Sequence, residues 1–141
     1  MFKCMKYTTK NEQETKMLGQ KIASQLKGGD ILCLYGDLGS GKTTLAKGLA
    51  QGFGLKKRMT SPTFSLMNVY PVRSIKLVHI DTYRLKGEQE LIDVGVEDYL
   101  GAPETICLIE WPEKIKGLLK NKKTLDIKIK HLRNGREITV A

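Results

Sequence analysis

The glycine-rich segment from Gly36 to Thr43 carries the clearest chemical signal in this 141-residue sequence. It reads Gly36-Asp37-Leu38-Gly39-Ser40-Gly41-Lys42-Thr43 and fits G-x-x-x-x-G-K-[ST], the pattern of a phosphate-binding loop (P-loop). Glycines let the backbone curl so that several N–H groups face one anion. Lys42 supplies a point charge for the β- and γ-phosphates, and Thr43 supplies a hydroxyl ligand for Mg²⁺. The segment therefore predicts a site for a nucleoside triphosphate.

Two carboxylates stand at the ends of apolar runs. Asp81 follows residues 77–80, and Glu110 follows residues 106–109. Functional groups in open α/β sheets lie at the carboxyl ends of the strands, so we expect both acids near the metal. Either one holds Mg²⁺ directly or through water, while the other orients the attacking water. The predicted catalytic residues are Lys42, Asp81 and Glu110, and the predicted metal ligands are Thr43, Asp81 and Glu110.

The elements that position these residues are also indicated by hydrophobic patterning. Residues 31–35 and 105–109 are continuous apolar runs, typical of central strands that are covered on both faces. Helical spacing begins at Lys42 and places Leu45, Leu49 and Phe53 on one stripe. A buried strand thus leads into the loop and an amphipathic helix leads out of it, as a P-loop requires.

The remaining elements are predicted less sharply. Capping boxes starting at Thr9 or Asn11 open a helix that Gly28-Gly29 ends. Three strands are predicted at 2–7, 63–70 and 75–80. Short helices are predicted at 88–93, 97–100 and 114–119. A hairpin is predicted in which 125–129 pairs with 137–140 around the turn Asn134-Gly135. The hairpin is expected to form the antiparallel edge of the sheet. We predict an α/β fold, a single P-loop NTPase domain over residues 1–141, whose mixed, mostly parallel sheet is flanked by helices and carries a C-terminal antiparallel hairpin.

Charge and composition narrow the class of protein. The sequence has 24 Lys and Arg against 15 Asp and Glu, and the resulting net charge of +9 favours polyanionic partners. The charge is spread along the chain, since the densest basic runs are only Lys56-Lys57-Arg58 and Lys122-Lys123. Three cysteines without a Cys-x-x-Cys pattern indicate reduced thiols. The first residues lack the apolar core of a signal peptide, and no apolar stretch approaches about 20 residues. We therefore expect a cytoplasmic protein without membrane contact.

Four blocks of the sequence resemble the signature blocks of the TsaE (YjeE) family of bacterial P-loop ATPases. They are Gly36 to Thr44, Ser61-Pro62-Thr63-Phe64, His79-Ile80-Asp81-Thr82-Tyr83-Arg84-Leu85, and Ile109-Glu110-Trp111-Pro112-Glu113. The resemblance implies an ATPase that uses ATP and Mg²⁺ and is required for tRNA threonylcarbamoyladenosine (t6A) modification at adenosine-37. It also implies action with the TsaB and TsaD proteins, with tRNA reached indirectly through that complex and direct contact left open. We expect weak hydrolysis alone and stimulation by these partners, which would supply a missing element such as an arginine or an ordered switch.

The resemblance further implies which residues meet the nucleotide. The loop residues are Asp37, Leu38, Gly39, Ser40, Gly41, Lys42, Thr43 and Thr44. Ser61-Pro62-Thr63 would act as a switch near the γ-phosphate, and Glu12 with Gly135-Arg136 would approach the adenine. From the residues themselves, Trp111 either lines the nucleotide pocket or covers the end of the sheet. His79 is interpreted as a core or boundary histidine rather than a base.

Three other functions are weighed against an ATPase. A small-molecule kinase of the P-loop class would need an arginine-bearing lid, and no inserted lid is visible. A GTPase would need Asn-Lys-x-Asp, but Asn121-Lys122-Lys123-Thr124 ends in threonine. A non-enzymatic RNA-binding module suits the basic charge, but aromatic residues are 6% of the chain and do not alternate with basic ones.

Overall fold

The computed structural model describes residues 4–37, 39–60, 62 and 66–141. The described strands are β1 (Met5–Thr9), β2 (Ile31–Tyr35), β3 (Met67–Val72), β4 (Ile75–Asp81), β5 (Thr105–Glu110), β6 (Leu125–Leu132) and β7 (Gly135–Val140). The described α-helices are α1 (Glu12–Ala23), α2 (Lys42–Gly52), α3 (Glu88–Asp93) and α4 (Lys116–Leu119). Two 3₁₀ segments span Val96–Asp98 and Pro112–Ile115. In these described ranges, no helix is long and apolar enough to cross a bilayer.

The described strands form one sheet in the order β1-β7-β6-β2-β5-β4-β3. Neighbours from β6 through β2 and β5 to β4 run parallel. The outer pairs, β4 with β3, β6 with β7 and β7 with β1, run antiparallel. The predicted α/β class with a mixed sheet is confirmed. Three of these six pairings are parallel, so the parallel part is the centre of the sheet and the antiparallel part its two flanks.

Both faces of the central strands are buried, which explains their continuous apolar runs. Leu32 and Leu34 of β2 face α1 and α2, whereas Ile31 and Cys33 of the same strand face the side of α3 and the 3₁₀ segments. Successive side chains of a strand point to opposite faces, so a strand covered on both sides needs apolar residues at every position.

Helices α1 and α2 approach each other closely through glycines. A Cβ added to Gly19 would lie 2.7 Å from the carbonyl oxygen of Leu45 and 2.8 Å from the amide nitrogen of Leu49. A Cβ on Gly48 would lie 2.8 Å from the Cα of Lys16. Because the backbones touch, the position of α2 is fixed by α1 as well as by the sheet.

The C-terminal hairpin forms as predicted, but its predicted place at the edge of the sheet is wrong. Strand β6 pairs with the central β2, and β1 pairs with β7 in the register Met5 with Val140 and Thr9 with Arg136. The edge on that side is therefore β1. The weak alternation of the first residues predicts a strand but carries no information about a partner so distant in sequence.

The start of α1 is set by Asn11 rather than Thr9. The Asn11 Oδ1 accepts a hydrogen bond from the amide of Glu14 at 2.9 Å, whereas the Glu14 carboxylate accepts one from the amide of Lys10 at 3.0 Å. Thr9 ends β1, and its hydroxyl is hydrogen-bonded to that of Thr15 at 2.7 Å. Of the two predicted capping boxes, the one that begins at Asn11 therefore supplies the N-cap of α1.

The end of α1 falls at Ala23, five residues before the predicted Gly28. The amides of Gln25 and Leu26 donate to carbonyls three residues back, at Ile22 and Ala23. These tighter 3₁₀-type turns end the α-helix before the glycines.

Several predicted segments overlap residues that the structure leaves undescribed. The strand predicted over 63–70 is found as Met67–Val72, and residues 63–65 lie outside the described part. The first predicted strand is found as Met5–Thr9, and residues 2 and 3 lie outside it. In contrast, β4 and β5 extend one residue beyond the apolar runs, so that Asp81 and Glu110 are their last residues.

Candidate functional site

The glycine-rich loop connects the end of β2 at Tyr35 to the start of α2 at Lys42. Gly39 and Gly41 have φ angles of 79° and 111°, in the left-handed region that favours glycine. A Cβ on Gly41 would lie 2.7 Å from the Cδ of Arg136, so only glycine lets this side chain lie against the loop. Leu38 lies outside the described residues.

A cleft of about 340 Å³ opens beside this loop. The loop and the first turn of α2 contribute Gly39, Gly41, Lys42, Thr43 and Thr44. The other walls come from Glu12 at the start of α1, Asp81 and Tyr83 at the end of β4, Glu110 and Trp111 at the end of β5, and Arg136 on β7. The fold thus brings the ends of four elements to the start of α2.

Lys42 is buried in this cleft, with 6% of its surface exposed. Its Nζ has no hydrogen-bond partner among the described residues and lies 3.5 Å from the centroid of the Trp111 ring. Burial lowers the pKa of the Lys42 ammonium, and the nearby carboxylates, led by Glu110 and including Asp81, partly oppose that shift. The site therefore holds a desolvated cation that is short of hydrogen-bond acceptors.

Asp81 and Glu110 are register partners on the parallel pair β4–β5. Their side chains therefore point to the same face of the sheet. Asp81 is half-buried, and its Oδ1 accepts a hydrogen bond from the amide of Tyr83 at 3.0 Å. Glu110 is buried, and its Oε2 lies 2.7 Å from the Nε2 of His79. The two acids thus sit side by side in different surroundings.

His79 was interpreted as a core or boundary histidine, and it is buried. Its Nε2 is hydrogen-bonded to the carboxylate of Glu110, a predicted site residue. Its Nδ1 has no hydrogen-bond partner among the described residues. His79 and Asp81 are two residues apart on β4, so both side chains point to the same face of the sheet as that of Glu110. That spacing is the sequence signal by which the contact can be found.

Trp111 lines the cleft, and its contact with a nucleotide stays a prediction. Its backbone is in the left-handed region with φ 60°. The buried hydroxyl of Thr82 donates to the carbonyl of Glu110 at 3.1 Å and also to that of Trp111. The Tyr83 ring lies 5.2 Å from the Trp111 ring. These contacts hold the indole over Lys42, and Thr82 is a residue to which the sequence analysis gives no role.

Arg136 on β7 contacts both α1 and the glycine-rich loop. Its Nη1 donates to the hydroxyl of Thr15 at 3.4 Å, and Thr15 is bonded to Thr9. Its Nε is buried without a partner among the described residues. Since the side chain also lies against Gly41, α1 through Glu12 and β7 through Arg136 both contribute to the wall of the cleft.

Some predicted site residues lie beside the cleft rather than in it. Asp37 and Ser40 line a separate hollow between the loop and β6, where the Ser40 hydroxyl is buried without a partner among the described residues. Gly135 lines a hollow next to Glu12 and Arg136. Of the predicted switch, Ser61 and Thr63 lie outside the described residues.

The predicted metal ligands Thr43, Asp81 and Glu110 all line the cleft. In the described part of the chain, no group of three or more His, Cys, Asp and Glu side chains is arranged to hold a metal ion. These three predicted ligands offer one hydroxyl and two carboxylates, and their roles stay predictions.

The sheet and the loop define an α/β protein in which β2 leads through a glycine-rich turn into α2 at the centre of a mixed sheet, the strand–loop–helix order that the G-x-x-x-x-G-K-[ST] motif predicts. Residues 9–138 match the family model described as threonylcarbamoyl adenosine biosynthesis protein TsaE. The chain belongs to the TsaE family, which confirms the resemblance seen in the sequence.

Individual relatives agree with this assignment. The tRNA threonylcarbamoyladenosine biosynthesis protein TsaE of Bacillus subtilis (strain 168) is 40% identical over 138 residues, which cover 97% of this chain and 85% of that protein. The protein of the same name from Treponema pallidum (strain Nichols) is 37% identical over 97% of this chain and 100% of its own length. The crystal structure of Bacillus subtilis YdiB superposes with a TM-score of 0.78 at 36% identity, covering 99% of this chain and 86% of that chain.

Proposed function

We propose that the protein is a Mg²⁺-dependent ATPase that acts in t6A biosynthesis. The observation that carries the proposal is the buried Nζ of Lys42, which faces the cleft without a hydrogen-bond partner among the described residues. A buried charge that lacks hydrogen-bonded compensation costs several kcal/mol. An arrangement of this kind suits an anion that arrives from solution.

The other groups around the loop suit the phosphates of a nucleotide. Gly39 and Gly41 let the backbone N–H groups turn towards one point, and α2 adds the positive end of its dipole there. Lys42 would meet the terminal phosphates as a point charge. Arg136, whose Nε is also buried without a partner among the described residues, offers a second cation in the same cleft.

The donors in the cleft also suit Mg²⁺, which prefers oxygen ligands and takes few of them from a protein. Thr43, Asp81 and Glu110 would hold it, and when bound it would neutralise phosphate charge. Asp81 is half-buried and suits a ligand that shares the metal with water. Glu110 is buried and held by His79, which suits a carboxylate that orients the attacking water.

The place of this activity in t6A biosynthesis is supported by family membership and by the names of the relatives. We extend to this chain the partners that the TsaE resemblance implies, TsaB and TsaD, together with weak hydrolysis in their absence. A role in bacterial tRNA modification would place the protein in the cytoplasm. The modification chemistry itself would take place on the partner proteins.

The proposal is tested by measuring phosphate release and ATP binding for the chain alone and with TsaB and TsaD. Lys42→Ala is expected to abolish ATP binding, because it removes the desolvated phosphate charge. Asp81→Asn and Glu110→Gln are expected to lose hydrolysis more than binding. Glu97→Gln, a change at an exposed acid outside the cleft, is the control and should behave as the unmodified chain.

Three results would count against parts of this proposal. Retained ATP affinity in Lys42→Ala would contradict the assigned phosphate site. Hydrolysis that ignores TsaB and TsaD would remove the partner claim and leave the ATPase. A phosphorylated small molecule, found when hydroxyl acceptors are incubated with ATP, would favour the kinase alternative.

A further inference from the structure

A second concave surface lies on the α1–α2 side of the molecule. It is a groove of about 380 Å³ between α1, α2 and the segment that follows α2. Its cationic lining residues are Lys16, Lys47, Lys56, Lys57 and Arg58, and we call it the basic groove. The sequence marked residues 56–58 as one of its two densest basic runs, and the fold adds two lysines from separate helices to them.

The charges of the basic groove are uncompensated within the described residues. No acidic side chain in the described part of the chain lines it, and none of its five cations forms an ion pair with a described carboxylate. Lys56, Lys57 and Arg58 are exposed, while Lys16 and Lys47 are half-buried at its sides. Five like charges around one hollow repel each other, so a polyanion that neutralises them would bind favourably.

The basic groove is distinct from the nucleotide cleft. Lys42 is the first residue of α2, and Lys47 lies five residues further on, or about 8 Å along the helix axis. The cleft contains three carboxylates, from Glu12, Asp81 and Glu110, whereas the groove contains none among the described residues. The described lining of the groove presents spread lysine and arginine side chains and includes no glycine, so it suits a row of phosphates rather than one.

We propose that the basic groove binds the phosphate backbone of RNA. Lysines on flexible stems contact phosphates as point charges, which sets position without reading sequence. No aromatic side chain of the described residues lines the groove, so stacking on bases is not provided there. The choice of RNA over another polyanion rests on the proposed role in tRNA modification, whereas the charge argument stands without it.

The test measures binding of an unmodified tRNA transcript to the full chain over a series of KCl concentrations. Replacing Lys56, Lys57 and Arg58 together by Gln is expected to weaken binding at least about 10-fold at low salt. The slope of log K against log salt should fall by about 2 to 3, since each phosphate contact contributes roughly 0.7 to 0.9. The matched control replaces Lys120, Lys122 and Lys123 by Gln, which changes the net charge equally at another exposed site.

The outcomes separate this proposal from its alternatives. Equal losses in the two triple variants would overturn it, because binding would then follow net charge alone. Failure of the unmodified chain to bind the transcript, or preference for vesicles of equal parts phosphatidylcholine and phosphatidylglycerol, would overturn it as well. ATP binding is measured on the same samples. It should be unchanged in the groove variant, so a failed RNA site and a failed nucleotide site give different results.

Discussion

The Nε2 of His79 lies 2.7 Å from the Oε2 of Glu110, with both side chains buried beneath the cleft. His79 reaches Glu110 from the neighbouring strand, two residues before Asp81. A carboxylate held in this way cannot turn freely among its rotamers. The imidazole is therefore a positioning residue for Glu110, whatever task Glu110 performs in the cleft.

Replacing His79 by Leu should lower ATP hydrolysis by about 10- to 100-fold, the usual cost of losing a group that orients a functional ligand. ATP affinity should fall much less, because Lys42 and the loop are untouched. His79→Gln places an amide donor near the original Nε2 and should restore part of the rate. Measured kcat and KM, together with calorimetric ATP binding, give this comparison.

The same variants distinguish positioning from stability. Both remove the ring, and His79→Leu also leaves the buried Glu110 short of a hydrogen bond, which costs about 1–3 kcal/mol of unfolding free energy. If Leu and Gln lower the rate equally at a temperature where both are folded, His79 only fills space.

The lowered pKa of Lys42 predicts a pH dependence of nucleotide binding. Burial disfavours the ammonium, so in the free protein it loses its proton at a lower pH than the ordinary value of 10.5. Phosphate binding needs the charged form, and ATP affinity should therefore fall as the pH rises through this lowered pKa. Titrations of ATP binding across the alkaline range measure the effect.

Lys42→Arg is the control for this titration, because guanidinium keeps its charge throughout that range. Its affinity should be weaker than that of lysine but should not change over the same pH interval. An identical alkaline loss in both proteins would assign the pH dependence to another group.

The contact between Trp111 and Lys42 predicts an optical signal. Trp111 is the single tryptophan of the sequence, and its ring lies 3.5 Å from the Lys42 ammonium. A phosphate that binds the ammonium changes the charge next to the indole, so the intrinsic fluorescence should change and saturate with added ADP or ATP. Lys42→Ala should still fluoresce, with an emission altered by the loss of the adjacent charge, and should lose the response to nucleotide. An emission that stays constant at saturating nucleotide would contradict the contact.

The close packing of α1 on α2 predicts the effect of a single methyl group. Alanine favours helix over glycine by about 1 kcal/mol, but the Cβ of Gly19→Ala would lie 2.7 Å from the Leu45 carbonyl. The cost of forcing the two backbones apart should exceed this gain, so the free energy of unfolding measured in urea should fall by about 1–2 kcal/mol. Gly87→Ser adds its Cβ in open space at the N-cap of α3 and should be neutral or slightly stabilising. Equal stabilities for the two variants would refute the packing argument.

The parts of the fold that sequence reasoning predicted are those controlled by local pattern. The buried strand before the loop, α2 and the hairpin around Asn134-Gly135 each carry their signal within about ten residues, and the structure has all three. The place of the hairpin within the sheet is different, because it depends on β1, which pairs with β7 from the far end of the sequence. Spacing within a segment contains no information about such a partner.

In the candidate site, too, residues marked by local pattern were predicted and those defined by tertiary contacts were not. Lys42, Asp81 and Glu110 follow from the motif and from the ends of apolar runs, and all three line one cleft. Thr82 was not predicted, because a threonine that holds the Glu110–Trp111 turn through its hydroxyl looks like any other threonine in sequence. The five cations of the basic groove come from three separate segments, so only the tertiary structure shows that they meet.

During synthesis on the ribosome, β1 emerges long before β7, the strand with which it pairs. Its amide and carbonyl groups on that side have no strand partner until residues 135–140 have been made, so they stay hydrated during the intervening synthesis. The wall that places Glu12 beside Arg136 closes only after β7 docks. A nascent chain therefore cannot complete its cleft until Arg136 and the rest of β7 have left the ribosome.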